Sequence, residues 1–481
     1  MTASALAVLE ARGLWRYRIV ALLAALAATW STLLLALPAD AGRVVAPWLL
    51  TLDTALLGTT LIGALVILER DQGMRAALAV SPARLGHRLA AKVGVLTAAV
   101  VVSAVPIALA GRPTSAGGLA AALTGVALTA VLTMLLAVAV AAHRQSVVTL
   151  LIVLPLVLLP LIAPALLAAA GLRHPLLYLA PTTGAMDLIR AGYGGAAAAP
   201  GWSVAWLVLA SGLAATVAHR QLRSGPRAAA PVRVRVGRPV RHDSGPVRSF
   251  LRTDLASIRR DPMLILVGVS PLLLGLAARF GYPALHGWLA RVHGFDVDPY
   301  RPLLLAVAVL LHVPVTFGMI GALLVLDDVD DRALTALRTS PLTLPRYLAY
   351  RAGSVTAAAV AGLAVAVPLS GLAAPGSWAR LGPAVLLAGL VTPLFMFTSL
   401  ALARNKVEGV AAVKLLGLPI YTPLATWWLT GPAGWPFAVL PTWWVVQTQW
   451  TAWPYALGGA ALTIALLALL ARRVLTRLSA A

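Results

Sequence analysis

The chain of 481 residues is 60% hydrophobic and only 11% charged, contains no cysteine and carries a net charge of +22. A soluble domain of ordinary composition has about 25% charged residues, so this chain cannot cover a water-facing surface, and lipid must solvate most of it. The missing cysteine excludes disulfides, thiolate metal sites and thiol nucleophiles.

Apolar runs of about 18–25 residues are long enough to span a bilayer. Six lie near 19–37, 44–68, 93–110, 119–142, 146–170 and 201–218, and six more near 262–278, 302–326, 352–371, 381–403, 410–430 and 453–471. The fifth is the least regular, because Pro155, Pro160 and Pro164 interrupt it; such prolines are tolerated where neighbouring helices re-satisfy the freed carbonyls. The expected fold is an all-α polytopic membrane protein of about twelve spans. Its parts are a first six-helix half at 1–218, a basic linker at 219–247 and a second six-helix half at 248–481.

Arginine and lysine set the orientation, since they gather in cytoplasmic loops. Arg12, Arg16 and Arg18 precede the first span, and Arg70, Arg75, Arg84, Arg88 and Lys92 follow the second. The segment 219–261 holds eleven arginines and no lysine, and Arg472, Arg473 and Arg477 close the chain. The alternate loops are poorer, and 431–452 has no charge at all. Both termini and the linker are therefore expected in the cytoplasm, and the positive charge serves topology and anionic lipid rather than nucleic acid. The linker, punctuated by Gly225, Pro226, Pro231, Gly237, Pro239 and Pro246, reads as a flexible tether.

A shift of about 260 residues superposes the halves. Ser81-Pro82 falls on Ser340-Pro341, Leu78 on Leu337, Leu85 on Leu344 and Lys92 on Arg351. Further along, His143-Arg144 falls on Arg404-Asn405, and Pro181-Thr182 on Pro441-Thr442. Several marks in order indicate an internal duplication. An even number of spans per half makes it a parallel repeat, with its pseudo-two-fold axis along the membrane normal.

The loop after the second span of each half is the most informative stretch. In the first half it holds Glu69, Asp71, Gly73, Met74, Arg75, Leu78, Ser81 and Pro82, closing on Lys92; in the second it holds Asp328, Asp330, Leu334, Leu337, Ser340 and Pro341, closing on Arg351. Acids open a short helix where the dipole favours them. Met74, Ala77 and Leu78 share one helical face, as do Leu334 and Leu337, and Ser-Pro ends the helix. Such a helix either offers an apolar knob to a partner or lies in the headgroup layer, and the residues alone leave both open.

The order acidic, basic, acidic, any, glycine, then Met, Leu, Ser-Pro and a closing Lys resembles the permease subunits of ABC type-2 exporters. The resemblance implies that this segment is a coupling helix docking into a cleft on a separate ATP-binding subunit, so the residues named above would carry that contact. It further implies amphipathic elbow helices at 5–18 and 248–261, with Tyr17-Arg18 and Arg259-Arg260 at the span entrances. Pro181-Thr182 and Pro441-Thr442 would open short re-entrant helices before the last spans. The second half departs from the pattern, with Arg332 where Gly73 stands, so equal docking of both halves does not follow. The arginine-rich, lysine-poor composition and fused arrangement resemble actinobacterial drug-export permeases, fluoroquinolone exporters among them.

No Gly-x-x-x-x-Gly-Lys-Ser/Thr phosphate loop occurs, and none of the three lysines, Lys92, Lys406 and Lys414, follows such a glycine run. On this reading the chain is not an enzyme and binds no cofactor. Two copies of an ATP-binding subunit, carrying ATP and magnesium, power export of a hydrophobic or amphiphilic small molecule through a bacterial cytoplasmic membrane. An ion-coupled secondary transporter of the major facilitator type is the alternative, because it too has twelve spans in two parallel halves and an acid–glycine–base motif where Asp71, Gly73 and Arg75 stand. Against it, this loop has room for a helix, a Ser-Pro break and a second helix. A membrane-embedded enzyme would need clustered His, Asp or Glu on facing spans, and the eight histidines are scattered.

Few ionisable residues lie inside spans. Asp53 is one, and a shift of 259 carries it onto His312; both are candidates for the substrate path. The structural reading of Asp53 is a hydrogen bond to Thr51 or Thr54. Seven of the fourteen tryptophans lie between 427 and 453, where an interfacial aromatic belt is the better reading than a drug-stacking vestibule.

Overall fold

A computed structural model describes residues 3–16, 19–37, 39–71, 84–143, 147–172, 174–195, 200–224, 262–293, 296–330, 343–403, 406–429 and 431–480. Among them there is no strand. With no water in the bilayer core to satisfy backbone groups, a spanning chain must close its hydrogen bonds inside each segment, and helices do so. The chain divides into two compact units, Met1–Arg235 and Val236–Ala481.

The first unit opens with α1 (Ala3–Arg16) and α2 (Ile19–Ala36), which meet at a bend of 67°. It continues through α3 (Ala39–Asp71), α4 (Leu85–Ala110), α5 (Ala116–Ala141) and α6 (Val147–Ala169). The short α7 (Pro181–Ala191) follows, then α8 (Pro200–Ser224). The second unit holds α9 (Pro262–His293), α10 (Arg301–Leu305), α11 (His312–Asp330), α12 (Leu344–Leu369) and α13 (Trp378–Leu402). It ends with α14 (Lys406–Tyr421), the short α15 (Pro441–Trp450) and α16 (Tyr455–Ala480). Among the described residues, nine helical segments are long and apolar enough to cross a membrane, and α1 with α2 forms a tenth candidate. The shorter α6 and α14 occupy the remaining two expected places.

Three elements depart from the expected pattern. The helix α6 runs unbroken through Pro155, Pro160 and Pro164. The first span of the second unit is far longer than expected, since α9 passes through Pro271 and Pro283 to His293. The second span of that unit is broken: a π-helical segment at Ala306–Leu310 separates α10 from α11. Pro314 explains the break. A proline cannot donate to the carbonyl four residues back and its ring crowds that carbonyl, which here belongs to Leu310. The helix widens just before it, so the Leu311 amide bonds the Ala306 carbonyl at 2.9 Å. The corresponding α3 carries Pro47 near its start and stays helical.

Within each unit the fourth span is the hub. In the first, α5 packs against α3, α4, α6, α7 and α8; in the second, α13 packs against α11, α12, α14, α15 and α16. These partners correspond one for one, and α2 packs on α4 as α9 packs on α12. Close approach relies on glycines. A Cβ on Gly125 of α5 would lie 2.7 Å from Ile189 Cγ1 and 2.9 Å from the Ala185 carbonyl of α7. Buried threonines of α5 satisfy themselves on their own helix, with Thr129 donating to the Gly125 carbonyl at 2.7 Å and Thr133 to that of Thr129 at 2.9 Å.

Gly125→Val is expected to cost about 1–3 kcal/mol through overpacking against α7. Gly212→Ala on the open face of α8, where a Cβ meets nothing within 4 Å, is expected to stabilise by about 0.5–1 kcal/mol. Thermal unfolding of the detergent-solubilised protein separates the two.

Candidate functional site

The helix α3 has 33 residues, about 50 Å at 1.5 Å per residue, against a hydrocarbon core of about 30 Å. Its end therefore projects beyond the apolar layer and carries Glu69, Arg70 and Asp71. There Glu69 meets Lys92 on the first turns of α4, and Lys92 also reaches Glu10 of α1 at 3.0 Å. Lys92 is only 11% exposed in its side chain, so one ammonium sits with two carboxylates away from water.

The second unit repeats the arrangement. A shift of 259 carries Glu69 onto Asp328 and Lys92 onto Arg351, and the Arg351 guanidinium lies 3.5 Å from the Asp328 carboxylate. Tyr347 takes the place of Arg88. Its hydroxyl donates to Asp328 and receives Arg351 Nε at 3.3 Å, and the guanidinium lies 5.5 Å from the centre of its ring. In both units the pair joins the end of the second span to the start of the third, across a separation of 23 residues. Asp330 is the last residue of α11 and exposed, and Asp71 is the last residue of α3. Gly73, Met74, Arg75, Leu78, Ser81, Pro82, Leu334, Leu337, Ser340 and Pro341 lie outside the described residues, as do Tyr17-Arg18 and the expected elbow at 248–261.

The two path candidates each have an aromatic partner from a neighbouring helix. Trp30 Nε1 of α2 donates to Asp53 Oδ1 at 3.3 Å, while Thr51, one of the two threonines of the structural reading, donates to Met186 Sδ of α7 at 3.1 Å. His312 is exposed on its own unit, immediately after the π segment, and its Nδ1 lies 3.2 Å from the hydroxyl of Tyr421 at the end of α14.

The short helices α7 and α15 both open on Pro-Thr and stand before the last span. Residues Thr182 to Ile189 are buried without exception. Thr182 donates to the Leu161 carbonyl of α6, and Thr183 to that of Leu177 at 2.6 Å. Asp187 is a buried carboxylate that sequence reasoning missed; Tyr178 donates to it at 3.0 Å. Its signal was available, since a shift of 260 places it on Gln447, a polar position on a helix otherwise read only from its Pro-Thr start.

Around α15 the tryptophans divide. Trp428, Trp435 and Trp453 are exposed, as a belt requires, whereas Trp443 is buried and packs its ring 5.0 Å from Trp444 and 5.8 Å from Tyr455. Beneath the start of α15 lies an apolar cavity of about 240 Å³, lined by Leu394, Phe395, Leu416, Ile420, Leu440 and Leu466 among others. His286, Asp296 and Asp298 bring three potential metal-ligand atoms within 4.8 Å. Asp298 is engaged there by the Tyr282 hydroxyl and by Arg301 at 3.9 Å.

Two family models match the chain, one in each half. Residues 2–222 match the fluoroquinolones export permease protein family, and residues 254–471 match the Rv2686c-like fluoroquinolones export permease proteins. Two curated relatives from Mycobacterium tuberculosis, the fluoroquinolones export permease proteins MT2760 (strain CDC 1551 / Oshkosh) and Rv2686c (strain H37Rv), are each 34% identical over 232 residues. The chain belongs to the fluoroquinolone export permease family. The matched stretch takes up 47% of this chain and 92% of each relative, so a relative is about half as long and this chain holds two family-sized units. It is a multi-pass export permease.

Lys92→Met leaves Glu10 and Glu69 facing each other without a counter-charge and is expected to lower stability by about 3 kcal/mol. The neutral triple variant Glu10→Gln/Glu69→Gln/Lys92→Met is expected to stay within about 1 kcal/mol of the parent, because no uncompensated charge remains buried. Chemical denaturation in detergent checks both.

Proposed function

We propose that the protein is the membrane-spanning component of an ATP-driven ABC exporter, moving a hydrophobic or amphiphilic drug out of a bacterial cell, with fluoroquinolones as its cargo class. The observation that carries this reading is that each of the two units matches an export-permease family over nearly its whole length. The relatives are named for fluoroquinolone export. The apolar cavity under α15 suits the planar ring system of such a drug better than a sugar or an inorganic ion.

On this reading the energy comes from a partner. With no phosphate-binding loop in 481 residues, ATP hydrolysis falls to a separate subunit, two copies of which would serve the two loops 69–82 and 328–341. Glu69, Asp71, Gly73, Met74, Arg75, Leu78, Ser81 and Pro82 would dock one copy, and Asp328, Asp330, Leu334, Leu337, Ser340 and Pro341 the other. Both termini and the linker lie in the cytoplasm on this reading, and the membrane is the bacterial cytoplasmic membrane. Closing of the ATPase pair moves the loops and tilts the first, second and fifth spans of each unit, switching access from inside to outside. Asp53 and His312, on the second spans, face the path so opened.

Co-expression with an ABC-type ATP-binding subunit, followed by reconstitution in liposomes, tests this reading. Norfloxacin transport is expected to require ATP and to cease when the phosphate-binding lysine of that subunit is replaced. Transport driven by an ion gradient alone would overturn it. Asp53→Asn is expected to reduce norfloxacin transport at least fivefold while the purified protein keeps its unfolding temperature; unchanged transport removes Asp53 from the path.

A further inference from the structure

The two ion pairs at the loop ends are charged where charge is costly. A buried pair is often replaceable by apolar residues with no loss of stability, so stability alone does not call for Lys92 with Glu69 or Arg351 with Asp328. The halves have diverged in the loop between, with Arg332 in place of Gly73. They have diverged in the surroundings as well, with Tyr347 in place of Arg88. The acid–base pair is held in common, in opposite-charge chemistry and in position.

We infer that these pairs are clasps: positioning residues that lock the end of the second span to the start of the third, so that the loop moves both spans as one body. The inference rests on the reading of those loops as the contact with an ATPase. Force on a loop whose ends are free would splay the two spans, and the displacement would be spent within the loop. An ion pair joining the ends removes that freedom, and its attraction is strengthened where water is partly excluded, the paired side chains being 11–32% exposed. In the first unit Glu10 extends the clasp to α1, which packs on both α2 and α4, so the first span is carried along as well. In the second unit Tyr347 instead braces the pair from within α12, holding the Arg351 guanidinium through its hydroxyl and its ring face.

The test uses the full chain with its ATPase subunit in liposomes, reading norfloxacin exported per ATP hydrolysed. That ratio is insensitive to the fraction of protein that folds, so a merely structural role leaves it unchanged. The neutral variants Glu10→Gln/Glu69→Gln/Lys92→Met and Asp328→Asn/Arg351→Met are expected to lower it at least tenfold. Lys92→Arg, and the exchanged pair Asp328→Arg/Arg351→Asp, are expected to return to within threefold of the parent. A parental ratio in both neutral variants overturns the clasp and leaves the ATP-driven reading standing. Export by the parent protein without hydrolysis overturns that reading and the clasp with it.

Discussion

A spanning segment has no water with which to satisfy its backbone, and that constraint shapes everything else in this molecule. It makes every crossing a helix and brings the crossings together through glycines and self-bonded threonines such as Thr129 and Thr133. It also drives charge to the helix ends, where it can pair. Glu69, Lys92, Asp328 and Arg351 therefore lie at the ends of the second span and the beginnings of the third, and Glu10 of α1 joins the first pair. The loops that interrupt the spans there are the family's site of contact with its motor on the reading proposed here. The chemistry available there is electrostatic.

Much of the fold was legible because the bilayer leaves a one-dimensional trace. Twelve apolar runs, alternating arginine-rich loops and the paired Ser-Pro and Pro-Thr marks describe the helices and their repetition without any knowledge of packing. Helix ends were less legible. α9 continues past the expected end at 278 to His293, running through Tyr282, Pro283 and His286 as helix. The prolines misled in both directions. Three of them leave α6 whole, while Pro314, one proline in an otherwise regular run, displaces a turn and sets His312 at the break.

The candidate site was legible in its residues and not in its bonds. The sequence singled out Glu69, Lys92, Asp328 and Arg351 as landmarks of a repeated loop, yet gave no reason to pair them. Glu10 lies 82 residues from Lys92, and only the bend between α1 and α2 brings the two together. Trp30 as a partner of Asp53, and Tyr421 as a partner of His312, are likewise contacts between helices distant along the chain. Asp187 escaped notice because a lone acid in a short polar stretch looks like surface until its helix is seen to be buried on every side. The tryptophans were half legible: composition announced a belt, but Trp443 belongs to the interior of its unit.

Joining both units in one chain has a consequence for how they change. When a pore is made from two copies of one gene product, each substitution appears twice and must suit both places. A tandem copy escapes that rule, and the two clasps record the escape: one became a three-way contact that recruits an entry helix, the other a cation propped on a phenol. The two units can thus differ in stiffness at the same place in their folds.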